Sequence, residues 1–255
     1  MSPLPSPYEA PESYDLVLDT FREDLGFWLD EARRARGPVL EVTCGTGRVL
    51  LHLLENGIDA DGVDLFTPML DRLRSKARSK GLEARAYAAD MRDFTTPRRY
   101  GRVFIPFNGF AHCEAPEDQL ACLRCCRDHL EPDGALVVDM SFPGARYWTG
   151  PEGIPVLEME VPHPQTGRPV RMFDTRRKDR VGQWQHSVVE IVELGAEGQP
   201  DRVQRFETRQ RWVYRFELEL LFREAGFARC EILGSWERRP LENDTDQMLA
   251  FAWRT

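Results

Sequence analysis

The sequence predicts an α/β protein, a doubly wound and mostly parallel sheet of seven strands with an inserted antiparallel β-sheet. Two observations predict it. Between residues 39 and 140, apolar runs of four to six residues alternate with amphipathic helical stretches, the rhythm of a parallel sheet covered by helices on both faces. After Met140 that rhythm breaks, and the run QRFETRQRWVYR sets Phe206, Thr208, Gln210, Trp212 and Tyr214 against Arg205, Glu207, Arg209, Arg211 and Val213, a period of two that marks antiparallel strands.

In chain order, residues 1–13 are rich in proline and serine and read as a flexible arm. From Tyr14 to Arg36, Leu18, Phe21, Leu25, Trp28, Leu29 and Ala32 recur at helical spacing, as one amphipathic helix or a broken pair, ended by Gly37 and Pro38. Strands follow at 39–42, 60–65, 84–89, 102–107 and 135–140, with helices over about 48–55, 68–80 and 117–130 between them. Residues 154–214 hold no helical pattern and are expected to form three or four antiparallel strands. A helix at 216–225, ended by Gly226, and strands near 227–234 and 247–253 return the chain to the main sheet. The expected organisation is an arm at 1–13, a core from 14–153 and 215–255, and an inserted substrate or dimer subdomain at 154–214.

Composition narrows the class. With 42% hydrophobic and 30% charged residues in 255, the chain can bury a sizeable core. No run of about 18 apolar residues occurs, and MSPLPSPYEAPES is neither basic nor apolar, so no membrane span or secretion is expected and the cytoplasm is the expected location. Six irregularly spaced cysteines read as reduced core residues; Cys122, Cys125 and Cys126 share one apolar helix face and lack a second ligand pair, so no metal is expected. A formal charge of −8 argues against nucleic acid as a partner. Its distribution is uneven: six basic and two acidic residues lie between Arg168 and Arg180, and five basic and one acidic between Arg202 and Arg215. Such segments fit either an anionic acceptor group or a solvent-facing sheet.

The strongest motif is VLEVTCGTGRV, Val39 to Val49, in which a buried strand passes through an acidic residue into a glycine-rich turn that opens a helix. A nucleotide-type ligand can sit there. Gly45 and Gly47 let the backbone approach it. A dinucleotide fingerprint would need a third glycine where Leu50 stands, and Glu41 would face a pyrophosphate poorly. Both points weigh against a nicotinamide-dependent dehydrogenase.

The run Glu41-Val42-Thr43-Cys44-Gly45-Thr46-Gly47 resembles the first motif of the class I S-adenosylmethionine-dependent methyltransferases, with Thr43 in place of the first glycine. The resemblance extends in order and spacing along the chain. It implies that Asp64, 19 residues beyond Gly45, accepts hydrogen bonds from the cofactor's ribose hydroxyls, that Leu65 packs on the adenine, with Phe66 the aromatic alternative, and that Asp90 and the Met91 backbone meet the adenine edge. It further implies a backbone contact from Phe107 to the methionine part of the cofactor, Asn108 beside the methyl donor on the acceptor side, and Tyr14 folded over the cofactor. His112, after the fourth strand, is the general-base candidate, because imidazole takes a proton near neutral pH; the sequence is similar here to small-molecule N-methyltransferases, including those that dimethylate amino sugars.

The expected function is therefore transfer of a methyl group from S-adenosylmethionine to a nitrogen or oxygen of a small molecule. Arg209 and Arg211 are the candidates for holding a carboxylate or phosphate on that acceptor, and the inserted sheet is also a candidate homodimer surface. The alternative from another class is a non-catalytic module that keeps the cofactor pocket for sensing or assembly.

Overall fold

The apolar run Val39–Val42 forms β1, an inner strand of the computed structural model, which describes residues 3–255 and, at Arg146, the backbone alone. Around it run β2 (Ala60–Asp64), β3 (Arg85–Ala88), β4 (Tyr100–Ile105), β5 (Leu130–Ser141), β10 (Arg229–Leu233) and β11 (Gln247–Trp253) in the order β10-β11-β5-β4-β1-β2-β3. β1 to β5 pair in parallel, and β11 alone runs against its neighbours. The helices of this unit are α2 (Leu25–Arg33), α3 (Arg48–Glu55), α4 (Thr67–Ser79), α5 (Pro116–Asp128), the short α6 (Ala145–Thr149) and α7 (Arg215–Glu224).

Successive strand residues enter opposite cores. Leu40, Val103, Leu136 and Ala250 pack with Leu123 of α5 and Phe222 of α7, whereas Val39, Phe104, Val137 and Leu249 pack with Trp28, Leu50 and Leu73 from α2, α3 and α4. Both faces are therefore dry, as a doubly wound sheet requires. Cys122 and Cys126 lie inside the first of these cores, with Cys125 packed against it.

The chain divides into two compact units, residues 23–149 with 211–255, and residues 1–22 with 150–210. In the second unit β6 (Val156–Pro162), β7 (Pro169–Asp179), β8 (Trp184–Leu194) and β9 (Pro200–Arg211, whose last residue belongs to the first unit) form a four-stranded sheet, with β6, β7 and β8 antiparallel. Val17 of α1 (Pro11–Leu18) packs on Val170, Ile191 and Phe206 of that sheet. Residues 14–36 thus form a broken pair, split between the units. The expected arm is also partly built: its first two residues lie outside the described ones, Ser6 caps a 3-10 turn at Pro7–Glu9, Pro5 accepts a hydrogen bond from the Glu207 amide, and α1 starts three residues early because Pro11 suits a first helical turn. Among the described residues no helix is long and apolar enough to cross a membrane.

At the amino ends of the parallel strands, Asp61 is fully buried and accepts hydrogen bonds from Arg85 Nε, Arg98 Nε and Tyr100 Oη at 2.8 Å each. Burial alone would push this carboxyl up, but the two arginines and the tyrosine outweigh it and hold the group below its ordinary range. At the carboxyl ends, Thr43 stands at φ +61° and turns its hydroxyl onto the Val42 carbonyl at 2.6 Å. The space it needs is left by Gly109, where a β-carbon would fall well inside contact distance of Thr43 Oγ1. Thr43 replaces a glycine and Gly109 supplies the missing room.

Two expectations follow. Gly109→Ala should destabilise the fold by about 1–3 kcal/mol through overpacking, and adding Thr43→Gly should recover most of it; urea titration of the single and double variants measures this. Asp61→Asn should cost about 2–3 kcal/mol at pH 7, less than for a fully buried pair because both arginines reach water. Since the folded pKa is depressed, this stabilisation is present above the ordinary carboxylate range and fades as pH falls below about 4, so the wild-type and variant curves should converge in acid.

Candidate active site

The turn after β1 is shaped by two glycines in left-handed conformation, Gly45 at φ +54° and Gly47 at φ +89°, the latter at the head of α3. Beside it Asp64 ends β2, with Oδ2 accepting from the Gly45 amide at 2.8 Å and Oδ1 from the Phe66 amide at 2.9 Å. Burial raises the Asp64 carboxyl, against the pull of the Phe66, Gly45 and Leu65 amides. A carboxylate has about four lone-pair sites, so it keeps acceptor capacity beyond these backbone bonds. Leu65 is 58% exposed, an unusual setting for a leucine next to a buried acid. It offers an apolar surface at the mouth of the crevice.

Glu41, within β1, is buried and its carboxyl is pushed well up by desolvation, opposed by the Arg48 charge and the Leu50 amide. Its Oε2 has no hydrogen-bond partner among the described residues. An orphaned buried acceptor is costly unless a donor completes it. A ligand carrying an ammonium group, a vicinal diol and a flat apolar ring would satisfy Glu41, Asp64 and Leu65 in turn. S-adenosylmethionine carries all three, so the residues present fit it.

Asp90 follows β3 and is held below its ordinary range, chiefly by the Arg92 side chain, which donates to both of its oxygens at 2.9 and 2.7 Å. Met91 is half-buried, with its sulfur 3.5 Å from Cys113 Sγ. β4 stops at Ile105 rather than continuing to 107, because Pro106 has no amide to give to the ladder and Phe107 and Asn108 turn left-handed at φ +52° and +61°. A 3-10 turn, Gly109–His112, comes next and ends at the half-buried His112.

Four residues to which sequence reasoning gave no role converge here. Asp24 ahead of α2 is fully buried and accepts from Trp28 Nε1 at 2.9 Å and from both terminal nitrogens of Arg48. The Arg48 guanidinium lies 5.2 Å from the Phe107 ring centre. Asp139 of β5 accepts from the Phe107 amide at 3.1 Å and from Gln247 of β11 at 2.5 Å. Arg48, adjoining the glycine turn, was the one legible hint; the others sit in ordinary helix and strand contexts.

The remaining expected residues divide. Tyr14 lies on α1 in the inserted-sheet unit, its ring 5.9 Å from that of Tyr8. Arg209 stacks over Trp184 of the same unit at 4.3 Å. Arg211 is a correction: it is only 6% exposed, and its guanidinium donates to Gln119 of α5 at 2.8 Å and Glu217 of α7 at 2.6 Å, which makes it an internal tie between helices. The basic segments are also less basic in space than in sequence. Arg171 pairs with Glu160, Arg176 with Asp174 and Glu158, Arg180 with Glu152, and Arg205 with Glu190.

Comparison with known proteins agrees with this geometry. Residues 39–134 match the family described as a methyltransferase domain. The chain is similar to the cypemycin N-terminal methyltransferase of a Streptomyces species, 29% identical over 96% of either chain. It is also similar to the dTDP-3-amino-3,6-dideoxy-alpha-D-glucopyranose N,N-dimethyltransferase of Streptomyces fradiae, 33% identical over 51% of this chain and 52% of that one. Among solved structures, the CcbJ methyltransferase of Streptomyces caelestis superposes with a TM-score of 0.77 at 25% identity, covering 97% of both chains. The S-adenosylmethionine-bound amino pentose methyltransferase CalS10 of Micromonospora echinaspora shares the fold at a TM-score of 0.65 and 23% identity, covering 91% of this chain and 90% of that one. Residues 39–134 are thus a methyltransferase domain, and the chain over nearly its whole length resembles known methyltransferases.

Proposed function

We propose that the protein methylates the nitrogen of a small amine, either the amino group of a sugar or the free amino end of a short peptide. The observation that carries this is the similarity to the N-terminal methyltransferase over 96% of both chains, inserted sheet included. The shorter match is to an enzyme of an amino sugar. What the two names share is an amine acceptor.

In this reading the glycine turn with Thr43, Gly45 and Gly47 receives the methionine part of the cofactor, with Glu41 behind it meeting the ammonium. Asp64 takes the ribose hydroxyls through its remaining acceptor capacity, Leu65 lies against the adenine, Asp90 and the Met91 backbone meet its edge, and Phe107 gives a backbone contact. When bound, S-adenosylmethionine supplies a methyl group already activated by its sulfonium, so the protein's work is to align nitrogen, carbon and sulfur and to exclude water. Asn108 borders the acceptor. An amine arrives largely as ammonium at neutral pH, and His112 removes its proton so that the nitrogen lone pair can attack.

On the inserted sheet, Arg209 is the arginine that meets an acceptor carboxylate or phosphate, since Arg211 is committed within the core. Residues 154–214 serve as the substrate or dimer insertion. Homodimerisation through that sheet is part of the proposal, supported by the half-exposed Leu157 on its edge strand β6. The cytoplasm is the proposed location, and six unpaired thiols suit a reducing compartment.

The direct test is incubation with S-adenosylmethionine and two probes, a short peptide with a free amino end and a nucleotide-linked amino sugar, followed by mass and S-adenosylhomocysteine. Addition of one or two methyl groups on nitrogen is expected; methylation only of hydroxyl acceptors would reject the amine reading. Asp64→Ala should weaken S-adenosylhomocysteine binding by about 1–3 kcal/mol by calorimetry, the loss of a charged hydrogen-bond acceptor. His112→Ala should lower the methylation rate by about 10²–10⁴ and leave cofactor affinity within a few-fold. Equal rates for wild type and variant between about pH 6 and 9, where an imidazole titrates, would make the histidine a loop residue.

A further inference from the structure

Phe107 and Asn108 are consecutive left-handed residues, at φ +52° and +61°, and neither is glycine. Asparagine tolerates that conformation and phenylalanine does so rarely, so the surroundings must over-determine the turn. Asn108 is held several times over. Its amide donates to the Asp139 carbonyl at 3.0 Å, its side-chain oxygen accepts from the Ser141 amide at 2.7 Å, and its Nδ2 donates to Ser141 Oγ at 3.2 Å. For Phe107 the backbone amide donates to Asp139 Oδ2 at 3.1 Å.

Asp139 is itself out of place in stability terms. It is 1% exposed at the carboxyl end of β5, in a strand otherwise apolar from Ala135 to Met140, and among the described residues its carboxylate accepts from the Phe107 amide and Gln247 alone. Desolvation pushes the carboxyl up to about 6, opposed by Gln247, the Phe107 amide and Arg48 and reinforced by the Asp24 charge. A buried carboxyl so sparsely paired is more costly than a leucine of similar size. Its retention calls for a role other than holding the core together.

We propose that Asp139 is a positioning residue for methyl transfer: through the Phe107 amide it fixes the left-handed Phe107–Asn108 turn, and with it the backbone and the Asn108 side chain beside the reacting end of the cofactor. This rests on the reading of the β4 carboxyl end as the methyl-donor end of the crevice. Gln247 orients the carboxyl from the far side, and Arg48, held by Asp24, lies against the Phe107 ring.

Two substitutions separate positioning from packing. Asp139→Asn keeps an oxygen for the Phe107 amide, while a turned-over Gln247 carboxamide can accept from the new NH2 group. Asp139→Leu keeps the branched shape with slightly larger ends and removes the acceptor. Three quantities are measured on each full-length variant: S-adenosylhomocysteine affinity by calorimetry, hydrogen exchange of the Phe107 amide, and Tm. For Asp139→Leu, affinity should fall and exchange should accelerate by about tenfold or more, the scale of one lost charge-assisted bond, while Tm is held or raised. Asp139→Asn should keep affinity and exchange within about threefold, because a neutral acceptor retains part of that bond. Unchanged affinity and protection in Asp139→Leu would overturn the proposal. So would a fall in Tm and affinity shared equally by both variants, which is the signature of packing alone. If Asp139→Leu does not fold, Asp139→Ala is judged by the same three quantities. Wild type that fails to bind S-adenosylhomocysteine would reject the cofactor placement instead, and the exchange rates would still decide whether Asp139 holds the turn.

Discussion

Everything at the carboxyl edge of the main sheet depends on one costly arrangement, the burial of three acids among apolar strand residues with few partners each. Glu41, Asp64 and Asp139 end or nearly end β1, β2 and β5, and desolvation is the largest influence on all three, raising each carboxyl. At the opposite edge, Asp61 is equally buried, yet two arginines and a tyrosine over-compensate and hold it low. One sheet thus keeps a satisfied acid where it contributes stability and under-satisfied acids where a ligand can complete them. In parallel sheets the carboxyl ends are where crevices open, so the asymmetry falls on the side that topology makes available.

Backbone strain follows the same division. Among the described residues five non-glycine residues have positive φ, and three of them, Thr43, Phe107 and Asn108, stand at the carboxyl ends of β1 and β4. The two turns they form are packed together, with Gly109 leaving the space that the Thr43 side chain fills. A departure from the glycine-rich motif at Thr43 is therefore matched by a glycine 66 residues later in the sequence. Neither residue is intelligible without the other.

This explains which parts of the sequence were legible. β1, α3 and β11 carry their signals locally, in an apolar run bounded by a glycine turn, in a helix opened by Gly47, and in a run with no breaker, and the expected bounds agree with those observed. The four-stranded insertion was visible in its period of two. Less was visible where long-range packing decides. The split between α1 and α2 divides a continuous helical pattern between two units, and β4 ends two residues early because Pro106 and the turn beyond it override the apolar run. Arg48 had only its place beside the glycine turn as a local signal and Asp24, Asp139 and Gln247 had none, since each is ordinary for its element and the four meet only once strands β4, β5 and β11 and helices α2 and α3 are assembled.

Charge was the least reliable local reading, for a physical reason. A strand rich in arginine looks like an anion site when summed along the chain, but strand pairing brings acids of neighbouring strands beside it, as Glu160 meets Arg171 and Glu190 meets Arg205. Such pairs between exposed side chains contribute little and are screened by salt. They nonetheless neutralise the field that a polyanion would seek, and they leave recognition to individual groups. Arg211 carries this furthest, because its two partners, the Gln119 carboxamide and the Glu217 carboxylate, convert a residue that reads as a substrate clamp into a strut between α5 and α7. Recognition then has to come from shape and from individually placed groups, neither of which a net charge of −8 could have indicated.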